Sequence, residues 1–385
     1  AILDLRENTF NSINNISNFY KEKLLPALRL LKKHLKEGKF LTIFVRNNEN
    51  DITIPTAWII GNLVSKYFSM KDEKIYCENI LELKKQYFSI VGKSFFYCLN
   101  FRNDKNSQYA EIDTIDYIGQ YKKTEENKNR FRWFILKPPI RDKNVILHPA
   151  KFPEVLISEY IKRYSKKGDN IFDPMSGTGS VQLAAIENLR NAYGCELSEE
   201  FFKIAKNRID TMLHDNLLFG TDFSQIKSHI ANIDANKFEQ IKDFPDFFDY
   251  VITSPPYWDM LNMKGAETQK TRKEKGLKLN YSESDNDLGN IDNYELFVKK
   301  LIEIYQKIIR RIKKNGYMTI IVKNIKKSGT IYPLAWDIVN GLKKEIIFIG
   351  EDFWLQDDIN LAPYGYGNTW VSNTFHQYCL NFIKK

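Results

Sequence analysis

Apolar residues recur at three- to four-residue spacing through Leu24, Leu25, Leu28, Leu31 and Leu35, and again through Leu301, Ile304, Ile308, Ile309 and Ile312. That spacing predicts two amphipathic helices. Each is followed by a Gly-containing turn (Gly38; Gly316), a short buried strand, a helix opened by Pro55 or Pro333, and a final strand. The likeness extends to identity. Tyr97-Cys98-Leu99-Asn100-Phe101 recurs as Tyr378-Cys379-Leu380-Asn381-Phe382, Thr42–Asn47 parallels Thr319–Asn324, and Pro55, Ala57 and Trp58 parallel Pro333, Ala335 and Trp336. Three matches in one order, all about 280 residues apart, read residues from about 18 to 103 as a second copy of 294 to 385. This is one duplicated unit, not a solenoid.

Between the copies the pattern changes. Gln120 to Lys143 is polar and charged (Lys122, Lys123, Lys128, Arg130, Arg132) and reads as a linker or surface segment. From His148 onward helix and strand alternate: a helix over 152–164, a strand ending at 170–172, a helix over 181–189 and a strand over 192–195. Such alternation predicts a parallel, doubly wound α/β sheet. The expected organisation is therefore an N-terminal half-domain at 1–103, a linker at 104–144 and an α/β domain at 145–385. The last carries a loop at 259–290 with a basic stretch from Lys264 to Lys278, read either as a partner-binding loop or as a solvated face.

Composition narrows the class. A chain of 385 residues, 43% hydrophobic and 14% aromatic, is long enough for two or three cores and too apolar to be wholly disordered. No apolar run approaches the roughly 20 residues that span a bilayer, and Ala1–Arg6 shows no signal-peptide pattern. Cys77, Cys98, Cys195 and Cys379 are scattered without Cys-x-x-Cys spacing. Neither a disulfide framework nor a metal site is expected, and the setting is read as reducing and cytoplasmic. The net charge of +9 favours a polyanionic partner, though Lys/Asn-rich composition alone produces basic chains.

Two constellations carry chemistry. Asp173-Pro174-Met175-Ser176-Gly177-Thr178-Gly179-Ser180 follows a strand and opens a helix. Gly177 and Gly179 allow close backbone approach at a tight turn, and the helix N-terminus offers free N–H groups. A plain structural turn would look the same, but Glu196 ends the next strand about 20 residues on, where an acid can hold ribose hydroxyls. Asp222, after Gly220-Thr221 at another expected strand end, is the candidate acceptor for an adenine amine. No Lys follows the glycines, so this is not a phosphate-gripping loop, and a site of acids suits a cationic, nucleoside-bearing cofactor.

The second constellation, Asp249 to Trp258, runs an apolar strand into Ser254-Pro255-Pro256-Tyr257. Two prolines remove two backbone donors and stiffen the chain, so that nearby carbonyls project as fixed acceptors. Tyr257 adds an aromatic face on which an extruded base could stack. Pro-Pro alone would be read as a turn; its place after a glycine-rich cofactor turn argues otherwise.

These residues resemble the amino-group DNA methyltransferases that use S-adenosylmethionine. His148-Pro149-Ala150-Lys151-Phe152-Pro153 is similar to the family's motif before the first strand, Asp173–Ser180 to its cofactor loop, and Thr253–Tyr257 to its catalytic motif. Pro363–Tyr366 and His376–Phe382 resemble its closing segments. The resemblance covers about 145–385, and reaches 1–103 only through the repeat. It implies a Rossmann-like methyltransferase sheet with a degenerate partial copy of its C-terminal half at the N-terminus. It also implies cofactor contacts from His148, Asp173, Pro174, Ser176, Gly177, Gly179, Glu196 and Asp222, with Ser254, Pro255, Pro256 and Tyr257 at the target base. Double-stranded DNA with base flipping is the implied substrate, a restriction endonuclease a possible companion, and no metal is needed. Ser at position 254 is closer to the cytosine-N4 branch; adenine-N6, RNA methylation and a non-enzymatic relic remain as alternatives. Met175-Ser176 departs from the family's aromatic-led loop. The first copy lacks both motifs, so one active site is expected, and that copy either holds DNA or serves as a platform.

Overall fold

The computed structural model describes residues 1–48, 53–85, 88–104, 131–136, 153–215, 223–256, 258, 288–327, 329–356 and 374–385. They form two compact units, 1–137 with 323–380 and 138–322 with 381–385. Residues 323–380, joined in the sequence reading to the α/β domain, thus cluster with the N-terminal residues.

The chain opens with β1 (Ile2–Asp4) and then α1 (Ile13–Phe19), which Ser12 caps by accepting the Asn15 N–H at 3.2 Å. A π-turn over Tyr20–Leu24 leads into α2 (Leu25–His34). β2 (Phe40–Val45) alternates strictly, with Leu41, Ile43 and Val45 fully buried. After Pro55 come α3 (Thr56–Ser65) and a long antiparallel hairpin of β3 (Ser69–Lys85) and β4 (Phe88–Arg102). The segment expected as a linker contains β5 (Trp133–Leu136), a buried strand paired to β4. Trp133, Phe134 and Leu136 supply the apolar surface that draws it inside, and Arg132 follows them in because Asp352 neutralises it at 3.1 Å.

The second unit begins with α4 (Glu154–Tyr164), β6 (Asn170–Asp173), α5 (Ser180–Glu187), β7 (Asn191–Glu196), α6 (Glu199–Asp215) and β8 (Ser228–Asn232). It continues through β9 (Phe248–Thr253), α7 (Tyr294–Arg310, capped by Asn293) and β10 (Ile312–Val322). Its strands β10-β9-β6-β7-β8 are neighbours in that order and pair in parallel. Tyr250–Thr253 of β9 are buried throughout, as a central parallel strand requires. The chain runs outward through β6, β7 and β8, then returns to place β9 on the other side of β6. That reversal of direction is the doubly wound α/β arrangement.

The chain ends with β11 (Ile325–Lys327), β12 (Thr330–Tyr332), α8 (Leu334–Leu342), β13 (Ile347–Leu355) and β14 (His376–Ile383). In the first unit β13 pairs with β5 in parallel, extending a mixed sheet that runs β1-β2-β4-β5-β13, with β3 off that path on β4. Equivalent positions of the two sequence repeats make equivalent bonds here. Pro55 and Pro333 precede their helices with nearly the same backbone angles, φ −75 and ψ 61 against φ −83 and ψ 63. Asn47 accepts the Ala57 N–H at 2.8 Å, and Asn324 the Ala335 N–H at 3.0 Å. Trp58 donates to Tyr97 at 3.2 Å, Trp336 to Tyr378 at 3.3 Å, and the two indoles stack with centroids 6.0 Å apart. Each repeat also reaches into the other: Asn47 and Tyr97 donate to Glu351 at 2.6 and 2.7 Å, while Asn324 donates to Glu73 at 3.2 Å.

Candidate active site

In open α/β sheets the crevice lies at the carboxyl ends of the strands where the order reverses. Here that point is between β6 and β9, which pair through Ile171–Tyr250 and Phe172–Val251. The glycine loop leaves the end of β6 and Ser254-Pro255-Pro256 leaves the end of β9, so the two motifs emerge from adjacent strands at one edge.

The loop is held by its own residues. Asp173, 1% exposed, accepts the Met175 N–H at 3.0 Å, and Ser176 donates its hydroxyl to the Asp173 carbonyl at 3.0 Å. Pro174 is buried between them. Gly177 and Gly179 sit at φ +53 and +82, angles that side chains rarely tolerate. Gly179 is the N-cap of α5, and a Cβ there would meet that of Ala205 at 3.0 Å.

Glu196 closes the cradle from the end of β7. Its two oxygens accept the N–H groups of Gly177 at 2.7 Å and Ser198 at 2.8 Å. A carboxylate has about four lone-pair positions and so can accept more than two bonds. Asp173 has no Lys or Arg partner among the described residues, and burial pushes its carboxyl up to about 7, with the Met175 N–H pulling the other way.

Several supporting residues carry no signal in sequence. Gln182, fully buried on α5, donates to Ser176 Oγ and to the Tyr193 carbonyl, both at 3.0 Å. Gly194 makes room for this pair, since a Cβ there would lie 2.2 Å from Ser176 Oγ and 2.3 Å from Gln182 Nε2. Arg208 donates to the Thr178 carbonyl at 2.6 Å and pairs with Glu154 at 2.5 Å. Asn232, at the end of β8, donates to the Glu196 carbonyl at 2.8 Å. Amides and arginines of this kind are marked only by what they touch.

His148, Asp222 and Tyr257 lie outside the described residues, as do Pro363–Tyr366 and the basic loop from 259 to 287. On the side of β7 away from β6 lies β8, whose end brings Asn232 and then Asp234 to this edge of the sheet. Pro255 is buried and Ser254 half-buried. Trp258, 3% exposed, is anchored by donating to the Asp292 carbonyl at 3.1 Å and by an edge contact with Tyr294. It fixes the far end of the Ser-Pro-Pro turn.

A family model described as DNA methylase, covering N6/N4 methyltransferases, matches residues 5–207, more than half of the chain. The chain belongs to this family of amino-group DNA methyltransferases, whose cofactor is S-adenosylmethionine. The match takes in residues 5–103, which the sequence reading tied to the family only through the repeat, and stops before Ser254. The orphan methyltransferase M.BamHII of Bacillus amyloliquefaciens is 30% identical over 168 residues, 37% of this chain and 63% of that protein. The type II methyltransferase M.MjaI of Methanocaldococcus jannaschii is 34% identical over 120 residues, 29% of this chain and 38% of that protein. The chain thus spans less than two thirds of these relatives. Among solved structures, TrmN from Thermus thermophilus aligns with 63% of this chain and 52% of its own at 14% identity and a TM-score of 0.36.

The residues present fit that cofactor. A buried, cation-free Asp173 beside a loop of φ-positive glycines, with Glu196 behind it, offers negative charge and close backbone approach to a cationic nucleoside.

Proposed function

We propose that this protein transfers a methyl group from S-adenosylmethionine to an exocyclic amine of a base in double-stranded DNA, the N4 of cytosine. The observation that carries the reading is the emergence of the Asp173–Ser180 loop and Ser254-Pro255-Pro256 from adjacent parallel strands at the switch point of the sheet.

When bound, the cofactor supplies an electrophilic methyl carbon on a cationic sulfur. The chain's own residues then have two tasks. Asp173, Glu196 and the backbone of Gly177 to Gly179 hold the cofactor, with His148, Pro174, Ser176 and Asp222 as further contacts. Ser254 Oγ and the Pro255 carbonyl accept the N–H bonds of the target amine. An exocyclic amine is a poor nucleophile because its lone pair is conjugated with the ring. Acceptors fixed on a proline-stiffened turn draw the amine out of that conjugation and aim it, so catalysis is positioning plus electrostatics. Tyr257 stacks on the base once it has left the duplex, and Pro256 keeps the turn rigid.

Adenine-N6 transfer is the second reading. A DNA adenine methyltransferase of Escherichia coli, YhdJ, is 33% identical over 67 residues, 17% of this chain and 23% of that protein. Several relatives are named as type II methyltransferases, which motivates a companion restriction endonuclease as partner. The test is nucleoside mass spectrometry of DNA from an unmethylated host expressing the protein. N4-methylcytosine is expected, N6-methyladenine would replace the first reading by the second, and no methylated base at all would refute both. In the same assay Ser254→Ala is expected to lower transfer by about 10²-fold or more with S-adenosylmethionine affinity unchanged.

A further inference from the structure

The two parallel strand pairs that open the two repeats have the same register. In the second unit Ile252 lies opposite Thr319 and Thr253 opposite Ile320. In the first unit Ile2 lies opposite Thr42 and Leu3 opposite Ile43. Thr42-Ile43 and Thr319-Ile320 are the matched residues of the sequence repeat, so β1 is the counterpart of β9. The residues that follow correspond in turn: Asp4-Leu5-Arg6-Glu7 stands where Ser254-Pro255-Pro256-Tyr257 stands.

The chemistry at that edge is inverted. Ser-Pro-Pro presents acceptors, whereas Asp4 is occupied by its neighbour: Arg6 donates Nε to Oδ1 at 2.9 Å and Nη2 to Oδ2 at 2.6 Å, which holds the carboxyl down at about 2. It has no free face for a base amine. Instead a cavity of about 220 Å³ opens beside it at the ends of β1 and β2, lined by Arg6, Arg46, Lys93, Arg132, Asn8 and Asn47 among others. The guanidinium groups are fixed in advance. Arg6 and Arg46 lie over the Phe96 ring at 4.9 and 5.3 Å, and Arg132 over Phe95 at 5.3 Å. Glu78 accepts from Arg46 Nη1 and Nη2 at 2.6 and 2.9 Å. Arg6 Nη1 and Arg46 Nε have no acceptor, and Lys93 no carboxylate, among the described residues. Aimed donors on charged groups, at the carboxyl edge of parallel strands, suit a tetrahedral oxyanion.

We infer that this cavity, the altered counterpart of the target-base site, binds a backbone phosphate of the DNA duplex. The inference rests on the proposed DNA substrate for the choice of phosphodiester over a free phosphate. Contacts to phosphate set position without reading sequence, so a half that has lost its acceptor turn would still contribute affinity and register.

The test uses the full chain and a fluorescent, already methylated duplex, with binding measured between about 50 and 200 mM salt. Each phosphate contact contributes about 0.9 to the slope of log affinity against log salt. Arg6→Ala with Lys93→Ala, which empties this single phosphate site, is expected to lower that slope by about 1, and Lys93→Ala alone by part of that, equally on unrelated sequences. Melting temperature and S-adenosylmethionine affinity should stay as in the parent, since both side chains are solvent-accessible. Inorganic phosphate at millimolar concentration should compete weakly with the duplex; competition by free phosphate with no slope change in the variants overturns the backbone assignment. Parental slopes in both variants, while the parent methylates unmethylated DNA, sink the cavity and leave the proposed function standing. Reduced slopes in a protein that transfers no methyl group support the cavity and refute the methylation reading. A parent that binds no duplex overturns both.

Discussion

Replacing Asp173 by Asn separates the cost of the proposed cofactor site from its use. Burial lifts the Asp173 carboxyl from 3.8 to about 7. At about 1.36 kcal/mol per unit, its ionised form costs the cofactor-free protein about 4 kcal/mol above pH 7. The sign is set by which state holds the proton. Below about pH 4 the carboxyl is protonated folded and unfolded, and the cost is absent. Between pH 4 and 7 the unfolded chain ionises first, so stability is lost as pH rises, and above 7 the loss is constant. Asp173→Asn cannot titrate and keeps an oxygen to accept the Met175 N–H. Its stability advantage should therefore grow from near zero at pH 4 to about 4 kcal/mol at pH 8, while S-adenosylmethionine binding falls. Because the chain has two compact units, the measurement is hydrogen exchange at the amides of Ile171–Asp173 and Tyr250–Thr253, which reports the local free energy. In the parent, cofactor binding at pH 6 should release close to one proton, read by calorimetry in buffers of different ionisation enthalpy. A stability difference that does not vary between pH 4 and 8 refutes the argument.

Other expectations follow from single contacts. Gly194→Ala would place a Cβ 2.2 Å from Ser176 Oγ and 2.3 Å from Gln182 Nε2, so it should cost about 1–3 kcal/mol and weaken cofactor affinity in calorimetry; unchanged binding would show the Gln182–Ser176 pair to be idle. Glu351→Ala removes the acceptor of Asn47 and Tyr97 and should destabilise the first unit by about 2–4 kcal/mol, read from the fluorescence of the stacked Trp58 and Trp336 during urea unfolding. Glu351→Gln, which keeps an acceptor, should recover most of that loss.

Local pattern alone was enough to locate much of this protein. Alternating helix and strand over 152–196, the turn glycines at 177 and 179 and the proline-stiffened Ser254 turn depend on short-range backbone chemistry, and the structure has β6, α5, β7 and β9 where that pattern places them. The identical pentapeptides were equally visible, because a repeat needs no fold to be seen. What neighbours what is a different matter. Strand order is settled by which apolar faces bury each other across long stretches of chain, so only the fold set β6 beside β9 and put the two motifs at one edge. Burial decided which polar residues became partners: Gln182 for Ser176, and Glu351 and Glu73 exchanged between repeats. Arg132, counted in sequence among solvated linker charges, is inside because Asp352 meets it there. Asp4-Leu5-Arg6-Glu7 bears no likeness to Ser-Pro-Pro-Tyr, and only the pairing of β1 with β2 identifies its place. Sequence determined the local chemistry; tertiary structure decided, through burial and register, which of those groups meet.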